Sequence, residues 1–271
     1  MMENPIIRKE LIYRLRPRKG NDTIVGVLIV GACVIGAIYW LFLRWMITDP
    51  SSVASGDTWK ILTTLEFMMI CLAAPAIAAN AISLEKEQQT WEMLIFTCLT
   101  PAEIILGKLF ARLVSILAIV VILAPISIFA WFRNWVTSGN IPFSQVLYSL
   151  LLLVVTAVFF STLGLFVSWL FRRTIYAVMA SYTFAVGFLC IGTVMITSGI
   201  MLLTRDEHMI ESFPLMWLNP IYLIAKALYS GSSYNEFHLF NFLSGIVMYI
   251  IMTIFMLVFM IVKFRRFSYA R

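Results

Sequence analysis

Long uncharged stretches alternate with short charged islands along the whole chain. The uncharged runs cover residues 23–43, 67–84, 113–132, 134–171, 174–204 and 239–262. About 20 apolar residues as a helix cross a hydrocarbon layer about 30 Å thick, and each run is long enough or nearly so. Their edges, set by the flanking charges and turn residues, predict six membrane-spanning helices at 23–46, 61–84, 109–132, 143–171, 175–204 and 237–262. The fourth and fifth are separated only by Arg172-Arg173-Thr174, a tight hairpin. The expected fold is an all-α polytopic membrane protein forming one membrane domain over residues 1–271.

Two further segments have patterns of their own. Within residues 1–20, Ile7, Leu11 and Leu15 fall one turn apart, with Arg8, Lys9, Arg14 and Arg16 on the remaining arc. That pattern predicts an amphipathic helix lying on the membrane surface, as an anchor and as a contact for a partner. With this basic helix ahead of it and no small-residue cleavage site, the first apolar run reads as a retained span, not a secretory signal. The uncharged run inside residues 212–230 is too short to span and is broken by Pro214 and by Asn219-Pro220, so a re-entrant external hairpin is expected there.

Composition agrees with this membrane reading. The chain is 61% hydrophobic and 13% charged, whereas a soluble domain carries about a quarter of its residues as charges. With six spans both termini share a side. That side holds fifteen of the 20 Lys and Arg residues, while Arg44, Lys60, Arg133, Arg205 and Lys226 face the other. The positive-inside rule then places both termini in the cytoplasm. The cell's inner (plasma) membrane is the expected location, with the lipid bilayer as the chain's surroundings. The net charge of +6 reports topology and does not imply a nucleic-acid partner.

Chemistry within the spans is sparse. Glu66 lies in the second span, where it either snorkels to the outer interface or stands along a transport route. Pro75 should bend the same span. The fifth span is dense in small and hydroxyl residues, among them Ser181, Thr183, Gly187, Thr193 and Thr197. Such a surface packs against another helix or lines a cavity. Together with Glu66, Thr183, Thr193 and Thr197 are the candidate pathway residues. The second and fifth spans are then the expected pathway wall, with the external hairpin as an outer gate. Cys33, Cys71, Cys98 and Cys190 have no paired spacing, and His208 and His238 lack neighbours at metal-ligand spacing. The chain has no phosphate-binding loop, nucleophile elbow or zinc-protease motif, so no catalytic residue, metal or cofactor is expected on it.

The charged island after the second span is the most specific feature. Residues 85–108 open with Glu85-Lys86-Glu87-Gln88-Gln89-Thr90-Trp91-Glu92, continue through Thr100-Pro101-Ala102-Glu103 and close on Gly107-Lys108. The island is as acidic as it is basic, and Trp91, Leu94 and Ile95 give it an apolar side. A connector that only obeyed the positive-inside rule would have neither property. This pattern resembles the cytoplasmic loop of ABC-2 type permeases, and Asn4-Pro5 and Leu218-Asn219-Pro220 agree with that likeness. Gln88-Gln89 and Trp91 depart from it, standing where more charged and aliphatic residues are usual.

The resemblance implies a permease subunit that pairs with a second permease chain, as a homodimer or heterodimer, and with two copies of an ABC ATPase. ATP and Mg would be bound on that partner. By the same resemblance Glu85, Lys86, Glu87, Thr90, Trp91 and Glu92 lie on a cytoplasmic coupling helix between the second and third spans. The implied activity is ATP-driven export of a hydrophobic or amphiphilic substrate. Two other readings compete with it: a self-sufficient carrier or channel using Glu66, and a membrane enzyme acting on lipid. The second would need clustered acid, base or metal-binding residues, and the sequence offers none.

Overall fold

The computed structural model describes residue 44 and residues 57–91, 100–137, 142–187, 219–229 and 239–269. The amphipathic segment 1–20, nearly all of the predicted span 23–46, Glu92, the part of the fifth span with Thr193 and Thr197, and the first half of the hairpin lie outside them.

Six helices make up the described residues: α1 (Asp57–Glu87), α2 (Pro101–Thr137), α3 (Phe143–Leu170), α4 (Thr174–Val186), α5 (Pro220–Tyr229) and α6 (Leu239–Tyr269). Four of them, α1, α2, α3 and α6, contain stretches long and apolar enough to cross a membrane. α4 is apolar but shorter, and the rest of the predicted fifth span lies outside the described residues. α5 falls in the second half of the predicted hairpin.

The helix ends follow from local chemistry. α2 begins at Pro101, not at Leu109, because Thr100-Pro101-Ala102-Glu103 forms a capping box. The Thr100 N–H donates to Glu103 Oε2 at 2.8 Å and the Glu103 N–H donates to Thr100 Oγ1 at 3.3 Å. Pro101 takes the first helical position, where its missing N–H costs nothing. At 37 residues α2 is about 55 Å long, well beyond a hydrocarbon layer of about 30 Å, so its first turns project past the membrane. Asn219 starts α5 in the same manner, its Oδ1 accepting from Ile221 N at 2.9 Å and Tyr222 N at 3.4 Å.

α3 is the hub, packing against each of the other five helices. Its buried positions include Ser149, Thr156, Ser161, Thr162, Gly164 and Ser168. Small residues let helix backbones approach closely where lipid supplies no hydrophobic drive. All but one of their hydroxyls bond back to α3 itself, as in Ser149 to Val146 O at 2.8 Å and Thr156 to Leu152 O at 2.8 Å, while Ser168 donates to Ser83 Oγ of α1 at 3.3 Å. The closest approach is at Gly164. A Cβ there would stand 2.8 Å from Ala78 Cβ and 3.0 Å from Pro75 O, so α3 runs directly against the α1 backbone at its proline. On α4, Tyr182 donates its hydroxyl to Leu72 O at 3.1 Å, next to the Cys71 carbonyl that Pro75 leaves without its helical donor.

Two apolar clusters fill the bundle. The larger one gathers Phe67, Ile70, Phe159, Phe160, Leu223, Phe242 and Tyr249 around α3. The smaller one, with Ile82, Ile104, Ile105, Leu109, Leu165, Met260 and Phe264, sits at the end of the bundle where α1 finishes and α2 starts. It forms the floor of the candidate site.

Candidate functional site

At this end α1 runs past its last apolar residue, Leu84, through Glu85, Lys86 and Glu87, and then reverses. Gln89 adopts a left-handed conformation with φ of 58°. The Thr90 N–H reaches Glu85 O at 3.0 Å and the Gln89 N–H reaches Lys86 O at 3.4 Å. This pair of bonds, with a left-handed residue just after the helix, is a Schellman termination, and it satisfies two carbonyls that α1 would otherwise leave open. Glycine usually fills that position, whereas here it is glutamine.

Four side chains around the turn, from Glu85, Lys86, Glu87 and Trp91, each bind a different helix. Glu85 Oε1 pairs with Lys108 Nζ of α2 at 2.7 Å. The ammonium, 1% exposed, also donates to Ala81 O at 3.0 Å. Glu85 Oε2 is buried and has no hydrogen-bond partner among the described residues. Lys86 donates to the Trp169 carbonyl of α3 and stands 5.8 Å from the ring centroids of both Trp91 and Trp169. Glu87 caps α4, with Oε2 accepting from Thr174 N at 3.0 Å and Thr174 Oγ1 at 2.7 Å. The cap residue of α4, Arg173, supplies no side-chain bond, so a carboxylate from α1 meets the positive end of that helix dipole. Trp91 sets its ring edge-on to Phe264 of α6 at 5.4 Å and 87°. Thr90 Oγ1 stays local, 3.3 Å from Glu85 O.

Behind the turn, Ser168 of α3 accepts two consecutive backbone N–H groups of α1, from Ile82 at 2.9 Å and Ser83 at 2.8 Å. Ser83 in turn donates its hydroxyl to Ala79 O at 2.8 Å. One helix end is therefore fastened to α2, α3, α4 and α6 at once. The side chains expected to face a docking partner are largely turned onto the chain's own helices, and Glu87, Gln88, Gln89 and Thr90 present the exposed rim.

Sequence patterning did not find Lys108 as the partner of Glu85, nor Ser168, Trp169, Thr174 and Phe264. Gly107-Lys108 stood out as a motif, but its partner lies on another helix. The capping box at Thr100 and Glu103 carried a readable signal in its spacing.

The candidate pathway residues fall elsewhere. Glu66 is 6% exposed and hydrogen-bonded to Ser127, so it is held at the contact of α1 with α2. Thr183 is exposed on α4 and donates to Met179 O at 2.9 Å. A groove of about 350 Å³ runs between α1 and α4, lined by Asn80, Leu84, Thr174, Ile175, Val178 and Met179. Cys71 is a buried free thiol, and the other three cysteines and both histidines lie outside the described residues. Among the described residues no group of three His, Cys, Asp or Glu side chains lies together to hold a metal.

The family model described as ABC-2 family transporter protein matches the chain over residues 5–270. No curated protein matches it.

Proposed function

Because the chain belongs to the ABC-2 transporter family, whose members are membrane transport subunits, we propose that it is the permease of an ATP-driven exporter whose ATPase is a separate chain. In this reading six spans cross the inner membrane, both termini are cytoplasmic, and the turn after α1 faces the cytoplasm. Two ATPase copies and a second permease chain complete the machine, with ATP and Mg held by the ATPase. Cargo is hydrophobic or amphiphilic, in keeping with the few charges in the spans.

The observation that carries this reading is the fastening of one exposed turn to four helices. A push on residues 88–90 is delivered through Glu85 to α2, through Lys86 and Ser83 to α3, through Glu87 to α4 and through Trp91 to α6. A packed bundle transmits such a displacement because it resists compression. The groove between α1 and α4 supports these helices as the pathway wall, with Glu87 and Thr174 clamping the end nearest the turn.

The test is to purify the chain with the ABC ATPase it binds and compare it with a Glu87→Ala, Trp91→Ala double variant. Membrane insertion should be retained while ATP hydrolysis no longer responds to the permease. Unchanged coupling would defeat the proposal.

One observation favours a second reading. The buried Glu66 beside Ser127 is the sort of intramembrane carboxylate that an ion-driven carrier uses. Transport by the purified chain without ATPase, abolished by Glu66→Gln, would establish that carrier.

A further inference from the structure

Several cations gather around one indole at the α1–α2 end of the bundle. Lys86 at the end of α1 and Lys263 near the end of α6 stand 5.8 and 5.6 Å from the Trp169 ring centroid. Lys263 also lies 5.5 Å from the Phe259 centroid. Arg172, exposed just beyond the end of α3, is near enough to act electrostatically on Lys86. Among the described residues the two neighbouring carboxylates are engaged elsewhere, Glu85 with Lys108 and Glu87 with Thr174. Among the described residues Lys86 and Lys263 have rings and one carbonyl as partners, and no carboxylate. Lys86 and Arg172 repel one another here, and a bound anion relieves that repulsion.

The surroundings decide which anion. Leu170, Phe259 and Val262 are large, apolar and exposed beside the cluster, and Trp169 lies partly exposed among them. α3 and α6 both contain membrane-crossing stretches, so these side chains mark the level where hydrocarbon gives way to headgroups. Tryptophan concentrates at that level, and lysine and arginine there attract anionic lipid. A free phosphate would use the cations and leave the apolar flank without a role.

We propose that this patch binds an anionic phospholipid, with Lys263 and Arg172 holding the phosphate, Lys86 adding its field, and Trp169, Phe259 and Leu170 bedding the glycerol and upper acyl chains. The site rests on the reading of α3 and α6 as membrane spans and does not depend on ATPase docking.

The full chain, purified in a neutral detergent, is titrated with dioctanoyl phosphatidylglycerol, dioctanoyl phosphatidylcholine or inorganic phosphate, and retained ligand is counted by native mass spectrometry. Phosphatidylglycerol should bind more tightly than phosphatidylcholine. Lys263→Gln and Arg172→Gln should each weaken it about fivefold, while Lys263→Arg keeps it. Both positions are exposed, so unfolding does not obscure the result. Equal binding of the two lipids, or wild-type affinity in the doubly substituted chain, would overturn the site. Displacement of the lipid by an equal concentration of inorganic phosphate would overturn the choice of a lipid over a free anion.

Discussion

Glu85 and Lys108 join the end of α1 to the start of α2 through an ion pair of 2.7 Å whose two members differ sharply in exposure. Lys108 is 1% exposed and Glu85 is 27% exposed. Removing the carboxylate leaves a fully buried ammonium without its countercharge, whereas removing the ammonium leaves a carboxylate whose Oε2 is buried but whose side chain is still partly open to water. Glu85→Gln should therefore cost about 3 kcal/mol, the lower end for breaking a buried pair. Lys108→Met should cost less, about 1 kcal/mol, because the partly exposed Glu85 side chain can turn its carboxylate toward water and methionine fills the stem's volume. Unfolding of the purified variants in detergent measures both, and equal losses would show that the asymmetry in burial has no energetic weight.

Gln89 closes α1 in a conformation that L side chains other than Asn and Asp adopt at a cost. Gln89→Gly should stabilise the chain by about 1 kcal/mol, and Gln89→Val should destabilise it by at least as much. The same unfolding measurement applies. A glycine variant no more stable than the parent would mean that the glutamine side chain makes a compensating contact.

Gly164 should tolerate no added carbon. Gly164→Ala would press Cβ onto Ala78 Cβ and onto the Pro75 backbone, and overpacking of this kind costs about 1–3 kcal/mol. Ala78→Gly added to that variant should restore only part of the loss, because the Pro75 carbonyl remains 3.0 Å away. Complete restoration would show that the α1 backbone yields freely at its proline.

Apolar runs were legible as spans because membrane thickness fixes their length, and the positions of α1, α3 and α6 follow from the runs at 61–84, 143–171 and 237–262. Hydropathy cannot mark where a helix stops once it leaves the lipid. α2 accordingly reaches back to Pro101 under the control of Thr100 and Glu103, which have no bearing on hydropathy. The fifth span is dense in small residues, and among the described residues the packing hub is α3, where Gly164 and Ser168 matter through what faces them on α1. Facing partners depend on how helices are arranged, and a single sequence does not state that arrangement. For the same reason Glu85, Lys86, Glu87 and Trp91 could be singled out as a group while their partners Lys108, Trp169, Thr174 and Phe264 could not.

Trp91 and Phe264 offer a way to separate holding the turn from moving the bundle. Their edge-on contact at 5.4 Å is worth about 0.5–1.5 kcal/mol beyond burial. In a double-mutant cycle, Trp91→Leu and Phe264→Leu should show a coupling of that size in unfolding. If α6 is driven through this contact, each single substitution should also weaken the permease's effect on ATP hydrolysis by its partner, and the double substitution should be no worse than the poorer single one. Losses that simply multiply would place the two rings on independent routes, leaving α6 to be moved from its contacts with α3 and α2.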